Sequence, residues 1–396
     1  MTVTAPPRPP RPSDPVTHGE FEALVEALIE EARQRAQRRR RRNAAVVTLV
    51  TLIGVAVFAI FGRSAQSQTA SSVSARSSLS AATATSKIAF ISEPLNRGYV
   101  GVLYVMNSDG SGKRKLSPAF RDMRWARDGQ KIAFSAWSHD TSDLYVMNAD
   151  GTGRRTLTSD PGWDGGPTWS PDGRALAYTA GGGFVADIYV INADGTERRM
   201  LTSGARRGEL AWSPVGDKIA FVNERGGDLE IYIMNPDGSG QRALTRNSVR
   251  DSNPVWSPDG RRIAFESNWQ VYVMNADGSG LRRLTRNGAR NFAPAWSPNG
   301  QRIAFERRAG REKYGSCSGC GRASTFQVYV VNADGTGERM LAQDGTQPFW
   351  SPDGQKIAFG RKSDIYLMNA DGSGQRNLTR SAGRGESLPV WSPAQK

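Results

Sequence analysis

The densest candidate for chemistry in this chain is Gly315-Ser316-Cys317-Ser318-Gly319-Cys320, where a nucleophile type sits between glycines and two thiols stand three positions apart. A nucleophile elbow needs a strand before it and a helix after it, and the surrounding stretch from Glu306 to Gln327 reads as a loop. Neither of the two histidines, His18 and His139, is placed to serve as its base. Zinc needs two further ligands and the sequence offers no second cysteine pair. Outside the cytoplasm the expectation for Cys317 and Cys320 is therefore a local disulfide. No catalytic residue, metal site or cofactor is expected. A second set is polar and aromatic: Asp122, Trp163, Asp164, Glu209, Arg250, Asp251, Asn253, Phe292, Gln347 and Glu386. Asp122, Glu209, Asn253 and Gln347 each stand three residues ahead of a tryptophan, and the others lie near such positions. Gathered at one opening, these groups could hold a peptide, a glycan or a cation. The repeated Asp-Gly pairs lack EF-hand spacing and read as turn residues.

What would gather them is a repeat. From Ser86 onward an Asn recurs at 107, 148, 192, 235, 275, 332 and 369, within segments such as Tyr272-Val-Met-Asn-Ala-Asp-Gly278. A Trp recurs at 125, 169, 212, 256, 296, 350 and 391, mostly within Trp-Ser-Pro-Asp-Gly, and an Ile-Ala-Phe-like segment follows the first six. Short alternating runs divided by Pro, Gly and Asn read as strands and tight turns. One unit is then a Trp strand, an Ile-Ala-Phe strand, a Tyr-Val-Met strand and an Arg-Leu-Thr strand, at a spacing that suits a β-propeller. The ends interlock: the domain opens on an Ile-Ala-Phe strand at Ile88 and closes on the Trp strand at Pro389-Val390-Trp391. The two ends together complete one blade, giving an all-β, seven-bladed ring over residues 86–396.

Trp-Ser-Pro-Asp-Gly-(Arg/Gln)-(Arg/Lys)-Ile-Ala-Phe followed by Tyr-Val-Met-Asn-Ala-Asp-Gly resembles the TolB-type, WD-repeat-like β-propeller family. The resemblance covers residues 86–396, with departures at Trp125-Ala-Arg-Asp-Gly and Trp212-Ser-Pro-Val-Gly-Asp. It implies the propeller alone. The family's periplasmic namesake carries an extra α/β domain, for which the stretch between Gly62 and Ser86 is too short.

Antiparallel strands put the Ser-Pro-Asp-Gly and Asn-Ala-Asp-Gly turns on one face and the variable connections on the other. The variable face is where a ligand is expected. Cations at Lys113, Arg114, Lys115, Arg154, Arg155, Arg198, Arg199, Arg242, Arg282, Arg283, Arg339 and Arg376 fall on the fourth strand of each unit. Spread round the rim, they protect sheet edges from pairing with other chains. Nucleic acid is not expected, because a nucleic-acid groove concentrates its cations and interleaves aromatics.

Ahead of the repeat, Ala44 to Phe61 is an uncharged apolar run preceded by Arg38 to Arg42. It is long enough to cross a membrane, and the arginine block holds its own side in the cytoplasm. A cleaved signal peptide would have a shorter apolar core and a small-residue cleavage site. The expected order is a Pro-rich tail over 1–16, an amphipathic basic helix over 17–42, a transmembrane helix over 43–62 and a Ser/Ala/Thr-rich stalk over 63–85. That places the propeller outside the cytoplasm and leaves residues 17–42 for a cytoplasmic partner. The favoured function is a binding or scaffolding protein of the cell envelope, its partner an envelope protein, peptide or glycan. The alternatives are a transmembrane sensor working through the cytoplasmic helix and a propeller-type polysaccharide lyase or hydrolase. The flexible stalk weakens the first of these, and the isolated His139 weakens the second.

Overall fold

The computed structural model describes residues 86–94, 101–119, 122–138, 141–183, 185–224, 227–309, 325–381 and 384–393. The expected tail, cytoplasmic helix, transmembrane run and stalk lie outside these, as does the Cys317–Cys320 pair. Among the described residues every regular element is a β-strand, and no helix is long and apolar enough to cross a membrane.

Each sheet follows from the alternation of Ile-Ala-Phe. Isoleucine and phenylalanine leave one face of the strand and alanine the other. Ala220 therefore opens a shallow place on its sheet, and Trp256, Ile263, Phe265 and Met274 of the following repeat pack into the same core. The pattern recurs with Ala177 against Ile219 and Phe221, Ala264 against Ile303 and Phe305, and Ala304 against Ile357 and Phe359. Ile88, Phe90 and Trp391 pack against Ala358, which joins the last repeat to the first. These Ile, Ala and Phe side chains are at most 1% exposed. Each such phenylalanine contributes about 1.5–3 kcal/mol by leaving water.

Within one unit, Asp251–Trp256, Arg262–Ser267, Gln270–Asn275 and Arg282–Arg283 form a four-stranded antiparallel sheet in chain order. The next two repeats do likewise, from Arg290–Trp296 to Arg339–Ala342 and from Thr346–Trp350 to Arg376–Asn377. The terminal strands meet as the sequence implied: Arg384–Trp391 pairs with Lys87–Pro94, in the register Ile88 to Trp391 and Ala89 to Val390. Two departures join three repeats into a single sheet, one of them a parallel pairing of Ser142 with Trp163. In the other, Arg199–Trp212 runs unbroken from the fourth strand of one repeat into the Trp strand of the next. Ala205 pairs with Ala186 on one side and Asn223 on the other.

Indole and guanidinium N–H groups form two sets of hydrogen bonds that tie repeats to their neighbours. The Trp indole N–H donates to the carbonyl just ahead of the previous repeat's Trp: Trp169 to Arg124, Trp256 to Ala211, Trp296 to Val255, Trp350 to Ala295 and Trp391 to Phe349. Trp125 donates to Val390 at 3.2 Å, so the series returns to its start. Trp212 breaks the series and turns to Gly216 at 3.4 Å. The rim arginines form the second set. Arg155, Arg199, Arg242, Arg282 and Arg339 each donate to the carbonyl of the Asp in the next repeat's Asn-x-Asp-Gly turn, at 2.8–3.1 Å. Arg376 reaches Asp109 of the first repeat in the same way. Edge cations read as guards against aggregation are thus also clamps between repeats. Lys113, Arg154 and Arg198 instead lie over the Phe/Tyr faces of their own units, within 5.9 Å of each ring centroid.

The turns are sealed from within. In Ser-Pro-Asp-Gly the Ser hydroxyl donates to the Asp carboxylate, as in Ser257 to Asp259 at 2.6 Å. The final Gly of Asn-Ala-Asp-Gly-Ser-Gly is required: Gly280 has φ +65°, and a Cβ there would meet Asn275 Nδ2 at 2.8 Å. Where the motif fails, Ser213 reaches Asp217 at 3.1 Å and Val215 is left 60% exposed.

Two outcomes follow. Removing residues 384–396 takes away the inner neighbour of Lys87–Pro94 and should abolish cooperative thermal unfolding by circular dichroism. A truncated chain that melts like the intact one would exclude closure through the termini. Val215→Asp puts a carboxylate where the other turns carry it, in place of the longer contact from Ser213 to Asp217, and should stabilise the chain by about 1 kcal/mol in urea unfolding.

Candidate functional site

Of the four residues singled out ahead of their tryptophans, Asn253 and Gln347 sit in β-bulges of the inner strands, and Asp122 and Glu209 face such bulges from the preceding repeat. Register slips lie between Gly165 and Thr168, Ser252 and Val255, Phe292 and Ala295, and Thr346 and Phe349. At these slips Gly166, Asn253, Ala293 and Gln347 have φ between 49° and 61°, and Leu388 has φ 53°. A left-handed residue turns its N–H out of the ladder, and each N–H is taken by a side chain of the preceding repeat. Gly166 donates to Asp122 at 3.3 Å, Asn253 to Glu209 at 3.1 Å, Ala293 to Glu266 at 2.8 Å, Gln347 to Glu306 at 2.9 Å and Leu388 to Gln347 at 3.0 Å. Asp122, Glu209 and Gln347 are thus latches as well as candidate contacts.

Glu209, Arg250 and Asn253 come together. Arg250 stands 3.9 Å and Arg206 3.8 Å from Glu209, and Asn253 Nδ2 donates to Glu266 at 2.8 Å. Burial pushes the carboxyls of Glu209, Glu266 and Glu306 above the ordinary glutamate range, and the Glu209 and Glu306 charges push Glu266 further. Sequence reasoning missed Glu266 and Glu306. Their signal is a Glu directly after Ile-Ala-Phe, where the other repeats carry Ile91, Ser135, Thr179, Val222 or Gly360.

Asp164, Asp251 and Glu386 do not join that group. Each is buried near the start of an inner strand, with one carboxylate oxygen lacking a hydrogen-bond partner. Lys113 reaches Glu386 at 2.6 Å. Burial raises Asp164, and the Thr158 hydroxyl offsets part of the shift. Asp251 accepts from Asn247 Nδ2 at 2.9 Å and lies within hydrogen-bond reach of Glu230. The next repeat places Gln270 and Asn291 at these two positions, and Asn291 Nδ2 donates to Gln270 Oε1 at 3.2 Å. An amide pair is neutral and self-complementary, whereas two carboxyls fit only when one keeps its proton. Burial, together with Asp251, raises Glu230.

The aromatic candidates sit on the loop-bearing face. Trp163 meets Trp137 edge-on at 4.9 Å, with Arg207 4.1 Å above its ring. Phe292 lies edge-on between Trp269 at 5.5 Å and Phe326 at 6.4 Å, with Arg290 4.8 Å over Trp269. Trp137, Arg207, Trp269 and Arg290 were not among the expected contacts. A further cavity, about 1040 Å³, opens on the opposite face, lined by Pro171, Pro258, Pro298, Pro352 and Pro393 of five repeats with Trp350 and Arg127. The Ser-Pro-Asp-Gly turns therefore converge round one opening. No three His, Cys, Asp or Glu side chains are grouped to hold a metal ion among the described residues.

A sequence profile of the TolB β-propeller domain matches residues 85–209 and again 205–317, more than half of the chain. The chain belongs to the TolB β-propeller domain family. Solved structures agree on the fold. TolB from Acinetobacter baumannii is 21% identical at a TM-score of 0.50, over 78% of this chain and 67% of that one. An oligogalacturonate lyase in complex with manganese is 14% identical at 0.54, over 75% and 86%. A Mycobacterium tuberculosis puromycin-hydrolyzing peptidase is 15% identical at 0.56, over 73% and 53%. No curated protein matches in sequence. At such identities the likeness of this TolB-type propeller to TolB, lyase and peptidase structures is one of fold, and its function must be argued from its own site.

Glu230 gives this site a pH signature. The folded chain holds its proton at pH values where the unfolded chain has released it, so stability falls as pH rises from the ordinary glutamate range through the raised value. Glu230→Gln reproduces the neighbouring Gln270 and should flatten that window. It should also add on the order of 1 kcal/mol at pH 7, read by urea unfolding at pH 4 and 7.

Proposed function

We propose that this TolB-type propeller is a single-pass, membrane-anchored binding or scaffolding protein of the cell envelope. In this reading residues 43–62 cross the cytoplasmic membrane, residues 1–42 stay inside, and seven blades stand outside on the 63–85 stalk. The blade number is supported by the tryptophan series that returns from Trp125 to Val390 and by the clamp from Arg376 to Asp109. The observation that carries the binding role is the contrast between faces. Asn-x-Asp-Gly turns repeat one set of bonds round one face, as at Asp150, Asp277 and Asp371. The other face varies from repeat to repeat and holds the half-buried Glu209 and the two arginine-capped aromatic pairs. Variation on a rigid frame is how repeat proteins build recognition surfaces. A non-catalytic role is favoured because the bulge-facing carboxylates Asp122, Glu209, Glu266 and Glu306 each accept a neighbour's backbone N–H, which fixes them as structural acceptors.

Two measurements test this. Protease added to intact spheroplasts should digest the propeller and spare a tag on residue 1, and alkaline carbonate should leave the chain in the membrane. A photoreactive residue at Arg250, on the variable face, should cross-link to an envelope component in cells, whereas one at Asp277, on the turn face, should not. Release by carbonate, or adducts from the turn face alone, would overturn the reading.

A further inference from the structure

On the loop-bearing face two junctions between repeats combine the same groups, the capped indole being the later repeat's Trp163 at one and the earlier repeat's Trp269 at the other. Each has an edge-to-face aromatic pair across the junction and an arginine over the indole: Trp137 and Trp163 with Arg207, and Trp269 and Phe292 with Arg290. Trp269 is the most informative member. With Asn268 it forms the two-residue turn between Arg262–Ser267 and Gln270–Asn275, at φ 63° and 46°. Such a turn favours Asn and Gly, and a bulky residue at positive φ is an outlier. The turn itself does not call for an indole, because Lys362 and Ser363 make the corresponding one at φ 49° and 66°. Nor does the core, since Trp269 is 43% exposed. A strained aromatic at a hairpin tip is a mark of function.

We propose that these two arginine-capped aromatic pairs are subsites for an acidic polysaccharide, a glycan whose sugars carry carboxylates. The inference rests on the loop-bearing face being the binding face. A pyranose ring shows C–H groups on its faces and polar groups round its edge. A flat indole covers the C–H face with the side its arginine leaves open, and the guanidinium stands beside it, 4.1 Å from the Trp163 ring centroid and 4.8 Å from that of Trp269. There it can meet a carboxylate through two parallel bonds. The arginine separates acidic from neutral sugars, and the aromatic separates sugars from simple anions. Recurrence of one combination at two junctions suits a polymer of repeating charge and shape better than a folded partner, which would meet differing pockets. Beyond residue 42 the chain still carries an excess of cations, which favours encounter with a polyanion.

The test uses the full chain in detergent micelles, with polygalacturonate, neutral dextran and poly-glutamate as probes in affinity electrophoresis and calorimetry. Polygalacturonate should bind at least about tenfold more tightly than either of the others. Trp269→Gly should weaken it roughly fivefold or more, while its Tm stays level or rises because glycine accepts the left-handed turn. Arg290→Gln should bring polygalacturonate towards the dextran level. Equal binding of poly-glutamate, or unchanged affinity in both variants, would overturn the glycan subsites. If polygalacturonate fails to bind while cross-links from Arg250 persist, the acidic-glycan inference falls and the binding face stands. If both are lost, both fall.

Discussion

Neighbouring sheets in this protein nest through one size contrast. Ile and Phe leave one face of the second strand, Ala leaves the other, and the large face of each repeat fills the shallow face of the one before. No sheet buries both faces by itself, so each depends on its neighbours, and the terminal strands complete the set through Ile88, Phe90 and Trp391 against Ala358. Close packing leaves little tolerance at the alanines, since an added methylene there would meet an indole or phenyl ring. The tryptophan bonds, arginine clamps and bulge latches all act across the interfaces that this nesting creates.

The site inherits its form from those interfaces. Bulges turn backbone N–H groups out of the ladder, and the neighbouring repeat answers with Asp122, Glu209, Glu266, Glu306 or Gln347. Sequence divergence at these acceptors changes the chemistry of the opening without loosening the frame, because acid and amide oxygens both satisfy the N–H. Glu230 with Asp251 and Gln270 with Asn291 show a related substitution, in which the acidic version ties stability to pH and the amide version does not.

Several readings changed between sequence and structure for identifiable reasons. The rim cations were legible as edge protection, but donation by Arg155 or Arg376 to the next repeat's turn is a contact between residues far apart in the chain. Asp164, Asp251 and Glu386 looked like mouth residues by proximity to their tryptophans, yet bulges between them and the tryptophan leave them buried. Trp269 was passed over because its hairpin position, not its repeat position, is what exposes it.

The order of strands, the two turn chemistries and the pairing of the first and last strands were determined by the sequence alone. Strand alternation, Pro, Gly and Asn act over a few residues, and a repeated unit prints its own period. Tertiary structure alone decided which polar groups face each other, which stretch fuses into a continuous strand at Ala205, and which aromatics stand exposed beneath arginines. Those outcomes depend on the register slips within sheets and the spacing between them, set by side-chain volumes that belong to two repeats at once.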